Sequence, residues 1–118
     1  EEVNPKLAES AEAHELKLMN QSGAISGCIV EGPISYYLAV DKEAAAIKNY
    51  HSPVAGDADL LVAPNLTAGN LLIKALAFSA RAKLAGFIVG AKIPIVLTSR
   101  SSTTEDKYLS VVPSAAAC

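Results

Sequence analysis

The stretch Gly86–Pro113, "GFIVGAKIPIVLTSRSSTTEDKYLSVVP", decides how the rest of the chain is read. It holds two apolar runs, "GFIVG" and "IPIVLT", separated by little more than Ala91-Lys92. A helical crossover between parallel strands needs roughly a dozen residues, so the two runs predict an antiparallel pair. After Thr98 the character changes: Ser99 and Arg100 come first, then hydroxyl side chains, then Glu105 and Asp106 ahead of a new apolar pattern. "TTEDKYLSVV" predicts a terminal helix that Pro113 kinks or ends, because proline removes an i to i−4 hydrogen bond. Ser102-x-x-Glu105 has the spacing of a capping box, which accounts for Glu105. Asp106 is not required by that motif, and a cation such as Arg100 just before a helix opposes the helix dipole. The pattern alone leaves two readings of Arg100, a bystander beside a cap or part of an anion site. In the second, free helix N–H groups, the hydroxyls of Ser99, Ser101 and Thr103, and a forked guanidinium would suit a phosphate.

Upstream, the pattern alternates. "ESAEAHELKLMNQSG" places Ala13, Leu16 and Met19 on one helical face, with Ser10 as N-cap, Glu12 in the first turn and Gly23 as stop. "GCIVE" reads as a short strand closed by a turn at Gly32-Pro33. "DKEAAAIKN" is a short helix capped by Asp41, "HSPVAGDA" a loop, and "DLLVAP" a strand whose unbroken apolar character predicts burial on both faces. "NLTAGNLLIKALAFSARAKLAG" reads as the longest helix, capped by Thr67 and ended by Gly86. Arg81 and Lys83 fall in its last turns, and Leu72, Ile73, Leu76 and Ala80 cover the sheet. Leu60, Leu61, Val62, Ile88, Val89, Ile95, Val96 and Leu97 are then the inner strands. The sum predicts an α/β chain, a layered αβα arrangement with a mixed sheet.

Composition narrows the function classes. The chain has 118 residues and 51% hydrophobic residues, enough for one core, and a formal charge of −2 with no basic run. Nucleic acid and acidic membranes therefore have no electrostatic footprint in it. Only Cys28 and Cys118 are present, which makes no disulfide framework and no zinc motif; Cys28 in "SGCIVEG" reads as a small buried thiol. His14 and His51 lie in separate segments without acids or cysteines at ligand spacing and read as surface histidines, so no metal is expected. No apolar run has membrane length, no signal peptide is recognisable, and no glycine-rich nucleotide fingerprint occurs. The opening "EEVNPK" lacks an initiator Met, which suggests that something has been removed from the front.

Three stretches carry a resemblance: "GDADLLVAPNLTAGNLLIKAL", "VGAKIPIVLTSRSSTTED" and "EGPISYYLAVDKEAA". With Asp59–Lys74 and Pro94–Arg100 in order and at matching spacing, the chain resembles the carboxyl-terminal portion of the phosphate acetyl/butyryl transferase family, closest to its butyryltransferase branch. The resemblance implies acyl transfer between coenzyme A and inorganic phosphate: acyl-CoA plus phosphate in equilibrium with acyl phosphate plus CoA. It also implies a fold of two α/β domains similar to isocitrate and isopropylmalate dehydrogenases, a homodimer, a cytoplasmic location and no covalently bound cofactor, with CoA as substrate. Family members are about twice this length or more. Residues 1–98 would then be most of the second, CoA-side domain. Residues 99–118 would be the cleft loop and terminal helix returning toward an absent amino-terminal domain.

Carried over by position, Arg100 binds the phosphoryl group, Ser99 stabilises developing charge, and Asp106 takes the proton from the CoA thiol. Ser101 and Thr103 join the phosphate site. Asn70 and Lys74 belong to the other motif, with a structural reading (a close-packed helix start and a solvated lysine) beside one near the cleft or the CoA phosphates. Two positions depart from the family: Ser102 stands where the butyryltransferase branch carries an acid, and Tyr37 where the family has an aspartate. Because the acid's place differs between branches, the general base is Asp106 or another acid. Two other classes remain. A β-decarboxylating dehydrogenase would need a carboxylate cluster for a divalent metal, which the sequence lacks. A non-catalytic CoA-binding or interaction module of the same fold would account for Tyr37 and Ser102.

Overall fold

The computed structural model describes residues 2–117; Glu1 and Cys118 lie outside the described residues. The chain divides into two compact units, Glu1–Leu66 and Thr67–Cys118.

The first unit opens with α1, Ala8–Gln21. Its N-cap is Leu7, without a side-chain cap bond, rather than the expected Ser10; a turn at Asn4 leads into it, with Leu7 N–H on the Asn4 carbonyl and Lys6 N–H on Asn4 Oδ1. Ser10 is buried and accepts from Asn4 N–H at 2.9 Å. The helix ends as expected, with Ser22 as C-cap and Gly23 at φ +83°, a conformation only glycine adopts cheaply.

The expected strand at "GCIVE" is not formed, and the reason is local. Asn20 donates through Nδ2 to the carbonyls of Ile25 and Cys28 and accepts at Oδ1 from Val30 N–H. One amide side chain thus takes the backbone groups that a strand partner would have used. Cys28 is exposed, not a buried thiol. The turn at Gly32-Pro33 is present, with a cis peptide bond and Gly32 packed against the Ala13 backbone of α1.

Two short helices follow, α2 (Tyr36–Val40) and α3 (Lys42–Ile47), and they pack on each other. Asp41 between them caps α3 as expected, accepting from the N–H groups of Glu43 and Ala44 at 2.9 and 3.0 Å. Leu38, Ala39 and Ala45 are the buried apolar residues. The loop that follows closes over α2: Gly56 N–H donates to the Leu38 carbonyl and Ala58 N–H to that of Ala39. Gly56 sits at φ +68° so close to Lys42 that a Cβ there would collide with the Lys42 backbone.

In the second unit, α4 (Leu66–Lys74) runs into a π-helical turn, Ala75–Ser79. The expected single helix reaching Gly86 stops earlier. Ala80 N–H donates to the Ala75 carbonyl in the wider i to i−5 register, and Arg81 takes φ +57°, which turns the chain out of the helix. Thr67 lies inside α4 rather than capping it. The chain then runs extended until α5, Thr104–Ala116, which contains Pro113 and continues past it.

The layered αβα arrangement with a mixed sheet, like the second domain of isocitrate and isopropylmalate dehydrogenases, is not what the chain forms. Among the described residues the strand pairing is a single antiparallel bridge, Ile88 with Ile95, with Ile88 N–H on the Ile95 carbonyl at 2.8 Å. The expected antiparallel direction is there; a sheet is not. Leu60, Val62, Val89 and Leu97 are each more than 70% exposed, and Leu76, expected beneath a helix-on-sheet layer, is half-buried. A strand needs a partner on at least one edge and a covered face; residues 60–62 have no bridge partner among the described residues, and 95–97 have only the one at Ile95.

Candidate functional site

The segment leaving the bridge forms a tight turn before α5. Ser102 N–H donates to the Ser99 carbonyl at 3.0 Å, which puts Arg100 and Ser101 at its two central positions. The Ser99 and Ser101 hydroxyls lie 3.0 Å apart, and both residues are exposed. Arg100 is exposed as well. The ion pairs among the described residues are Lys17–Glu31, Lys42–Asp57 and Lys83–Glu105, so the Arg100 guanidinium is engaged by no acid.

The helix start is capped one residue later than the spacing of Ser102 and Glu105 suggested. Thr103 is the N-cap and Asp106 the third helical residue. Thr103 Oγ1 accepts from Asp106 N–H at 3.1 Å, while Asp106 Oδ2 accepts from Thr103 N–H at 3.1 Å and from its hydroxyl at 2.8 Å. Both registers have the box spacing, and the winning register releases Glu105 to pair with Lys83. Asp106 Oδ1 also accepts from Leu84 N–H at 3.3 Å. The Thr103 hydroxyl, the Thr103 N–H and the Leu84 N–H, in that order of strength, hold the Asp106 carboxyl below the usual aspartate value. Asp106 is therefore ionised at neutral pH, and three of its roughly four lone-pair positions are occupied.

Ser99, Ser101, Thr103 and Asp106 are thus brought into one turn-and-cap unit around Arg100. Asn70 and Lys74 are not joined to it by a hydrogen bond or ion pair. Both are exposed on α4, and the Lys74 ammonium lies 5.9 Å from the centre of the Phe78 ring, a cation–π distance. Tyr37 is exposed on α2 and Ser102 half-buried in the turn. Two open depressions, of about 330 and 360 Å³, are lined by Glu2, Leu38, Lys48, Asn49 and Tyr50 and by Phe87–Pro94 with Ala117. Neither includes the Ser99–Asp106 unit, which is an open surface turn. No group of three or more His, Cys, Asp or Glu among the described residues could hold a metal ion, and no helix is long and apolar enough to cross a membrane.

Sequence reasoning missed the contacts that Lys83, Leu84, Gly86 and Ser110 make at this unit. Gly86 N–H donates to Ser110 Oγ at 3.2 Å, and Ser110 Oγ donates to the Asp106 carbonyl at 2.7 Å. Ser110 is 4% exposed, and only its polar character within an apolar helical pattern could have signalled it.

Comparison with known proteins agrees with the motifs. The family model described as "Phosphate acetyl/butaryl transferase" matches residues 1–115. The chain is 50% identical to a phosphate acetyltransferase of Thermotoga maritima over 98% of its own length and 39% of the relative's. It is 46% identical to a probable phosphate butyryltransferase of Bacillus subtilis, over 94% of its length and 37% of the relative's. A crystal structure of a branched-chain phosphotransacylase from Enterococcus faecalis superposes with a TM-score of 0.84 at 44% identity, covering 95% of this chain and 40% of that one. The chain therefore spans about two fifths of the length of these proteins, and it belongs to the phosphate acetyl/butyryl transferase family.

Proposed function

We propose that the chain is the carboxyl-terminal portion of a phosphate acyltransferase that interconverts acyl-CoA plus phosphate with acyl phosphate plus CoA. The observation that carries this reading is Arg100, exposed and engaged by no acid among the described residues, at a central position of the Ser99–Ser102 turn that leads directly into the N-cap of α5. A planar guanidinium flanked by two hydroxyls and the free N–H groups of a helix start suits a tetrahedral oxyanion. In the thioester-forming direction, the CoA sulfur attacks the acyl carbonyl carbon. The S–C bond forms, the bond from carbon to the phosphate oxygen breaks, and phosphate leaves onto Arg100 with Ser101 and Thr103 beside it. Ser99 donates to the oxygen on which charge develops. The thiol proton passes to Asp106, whose remaining lone pair is the acceptor; Asn70 and Lys74 lie toward the CoA side.

In this reading residues 1–98 belong to the CoA-side domain and residues 99–118 to the cleft loop and terminal helix. The rest of the enzyme supplies further cations and the walls that exclude water, since one arginine on an open turn is not a closed site. The 118 residues alone are then inactive, and the enzyme is a cytoplasmic homodimer. Asp106 also favours a second reading. A carboxylate committed to a cap and held below its usual pKa is a weak base, as expected of a CoA-binding module that has lost turnover.

Arg100→Ala in the longest polypeptide containing this sequence is expected to lower thioester formation from acyl phosphate and CoA by about 10²–10³-fold. The melting temperature should stay within a few degrees, and Lys should rescue poorly because it lacks the planar fork. Unchanged phosphate dependence in either variant overturns the assignment. CoA binding without turnover by the unsubstituted polypeptide selects the second reading.

A further inference from the structure

A capping box needs two hydrogen bonds, one in each direction between the N-cap and the third helical residue. Asp106 makes those, takes the Thr103 hydroxyl as well, and makes two more outside the cap. Its Oδ1 accepts from Leu84 N–H, and its backbone carbonyl accepts from the buried Ser110 hydroxyl. The single Ser110 proton is given to that carbonyl, so an oxygen lone pair is left facing Gly86 N–H, which donates to it at 3.2 Å. Two residues apart on an extended segment, Leu84 and Gly86 present their N–H groups to the same side, where the first turns of α5 meet them with a carboxylate and a hydroxyl. Lys83 completes the clasp by pairing with Glu105, the residue preceding Asp106. Lys83 and Glu105 are the charged groups beside the Asp106 carboxylate, and the Lys83 charge itself favours the ionised form.

We propose that Lys83 and Ser110 are positioning residues. They lock the extended segment Lys83–Gly86 against α5 so that Leu84 N–H fixes the Asp106 carboxylate on Thr103, and with it the exit of the anion-binding turn. The inference rests on the reading of Ser99–Thr103 as a phosphate site. Three features favour a positioning role over a purely local cap. The contacts from Leu84 and Gly86 span 22 and 24 residues of sequence, so they register two separate segments. They converge on the residue expected to handle the proton. And they leave that carboxylate a single vacant lone pair, which restricts the direction from which a proton can arrive.

The test is carboxyl ¹³C NMR of Asp106 against pH in the longest polypeptide containing this sequence, unsubstituted and as Ser110→Ala, Ser110→Thr and Lys83→Met, with Asp106→Asn to assign the resonance. Inorganic phosphate is then titrated against the amide signals of residues 99–103. Ser110→Ala and Lys83→Met are expected to move the Asp106 midpoint up toward 3.8, the ordinary aspartate value, and to weaken the phosphate response by about fivefold. Ser110→Thr, which keeps the hydroxyl, should restore both. An Asp106 midpoint unchanged in both variants overturns the proposal. Should Ser110→Ala disrupt α5, Lys83→Met decides alone, because that side chain is 69% exposed and its loss leaves no cavity. A chain that shows the Asp106 shifts but no phosphate response at any variant would refute the anion site while upholding the clasp. Phosphate binding with unshifted midpoints would do the reverse.

Discussion

The two units hold themselves together by different means. Glu1–Leu66 closes on a small core of Leu38, Ala39 and Ala45, and its loops are tied down by side chains that reach across the unit. Glu31 is the hub. It accepts from Lys17 of α1 at 2.6 Å, from the Ser52 hydroxyl at 2.9 Å and from Gly32 N–H at 3.1 Å. Thr67–Cys118 has no buried apolar residue among those described; its buried residues are Ser110 and Ser114. Leu71, Phe78, Val89, Ile93 and Leu97 are all exposed. The first unit has a small apolar core and side-chain ties around it, though Ile47, Leu60 and Val62 stay open. The second has no apolar core at all among the described residues: what it buries are the two serines, with Ser110 hydrogen-bonded to Gly86 and Asp106.

The largest effect that could break this contrast lies in the first unit. Leu38 is fully buried, so Leu38→Ala should cost roughly 2–5 kcal/mol, read as accelerated amide exchange throughout α2 and α3. Leu76→Ala in the second unit, half-buried on the π-helical turn, should cost well under half as much. Equal losses would mean that the second unit has an apolar core after all.

Next in size is the Glu31 hub. Burial pushes the Glu31 carboxyl up, but the Lys17 and Ser52 hydrogen bonds, the Lys17 charge and the Gly32 N–H together outweigh it and leave it below the ordinary 4.5. A carboxylate whose folded value lies below its unfolded one contributes stability that is fully present above about pH 4.5. That contribution is lost as pH falls from there through the lower folded value. Glu31→Gln should therefore cost roughly 1–3 kcal/mol at neutral pH, and the difference from the unsubstituted chain should vanish in acid. A difference that persists unchanged at pH 2 would assign the effect to packing instead.

Local signals in the sequence were readable where one side chain decides them. Asp41 caps α3, Gly23 ends α1 and Gly32-Pro33 turns the chain, as their residue types dictate, while the short link between the runs at Ile88 and Ile95 gave the direction of their one bridge but not the expected strands. The motifs from Asp59 to Lys74 and from Pro94 to Arg100 carried the family. What was not readable is which apolar run finds a partner. "DLLVAP" and "IPIVLT" have the composition of buried strands whether or not a neighbouring strand exists, because the signal reports what the segment needs and not what it is given. Asn20 shows the same limit from the polar side. Nothing in "KLMNQSG" says that this amide will take three backbone groups from the following loop and forestall a strand. In the site, the residue types around Arg100 were legible, but two adjacent capping registers fit equally well. Contacts to Lys83 and Leu84, more than twenty residues away, selected between them.

The smallest effect tests that register directly. With no buried apolar side chain to hold it, α5 depends on its first turn more than α2 does. Thr103→Ala removes the acceptor for Asp106 N–H and a donor to Asp106 Oδ2. Amide exchange of residues 104–107 should then rise about fivefold, the size of a typical cap loss. Ser102→Ala should leave it nearly unchanged, since the Ser102 side chain is not the cap. The pH dependence follows from the lowered Asp106 carboxyl: the cap's protection should be complete above about pH 3.8 and fade as pH falls from there through the lower folded value. In Thr103→Ala that acid-sensitive part should shrink, because the largest cause of the lowered value has been removed. If Ser102→Ala instead accelerates exchange and Thr103→Ala does not, the box lies one residue earlier. Glu105 would then be the capping acid, and Asp106 would be released from the cap to act as a freer proton acceptor beside Arg100.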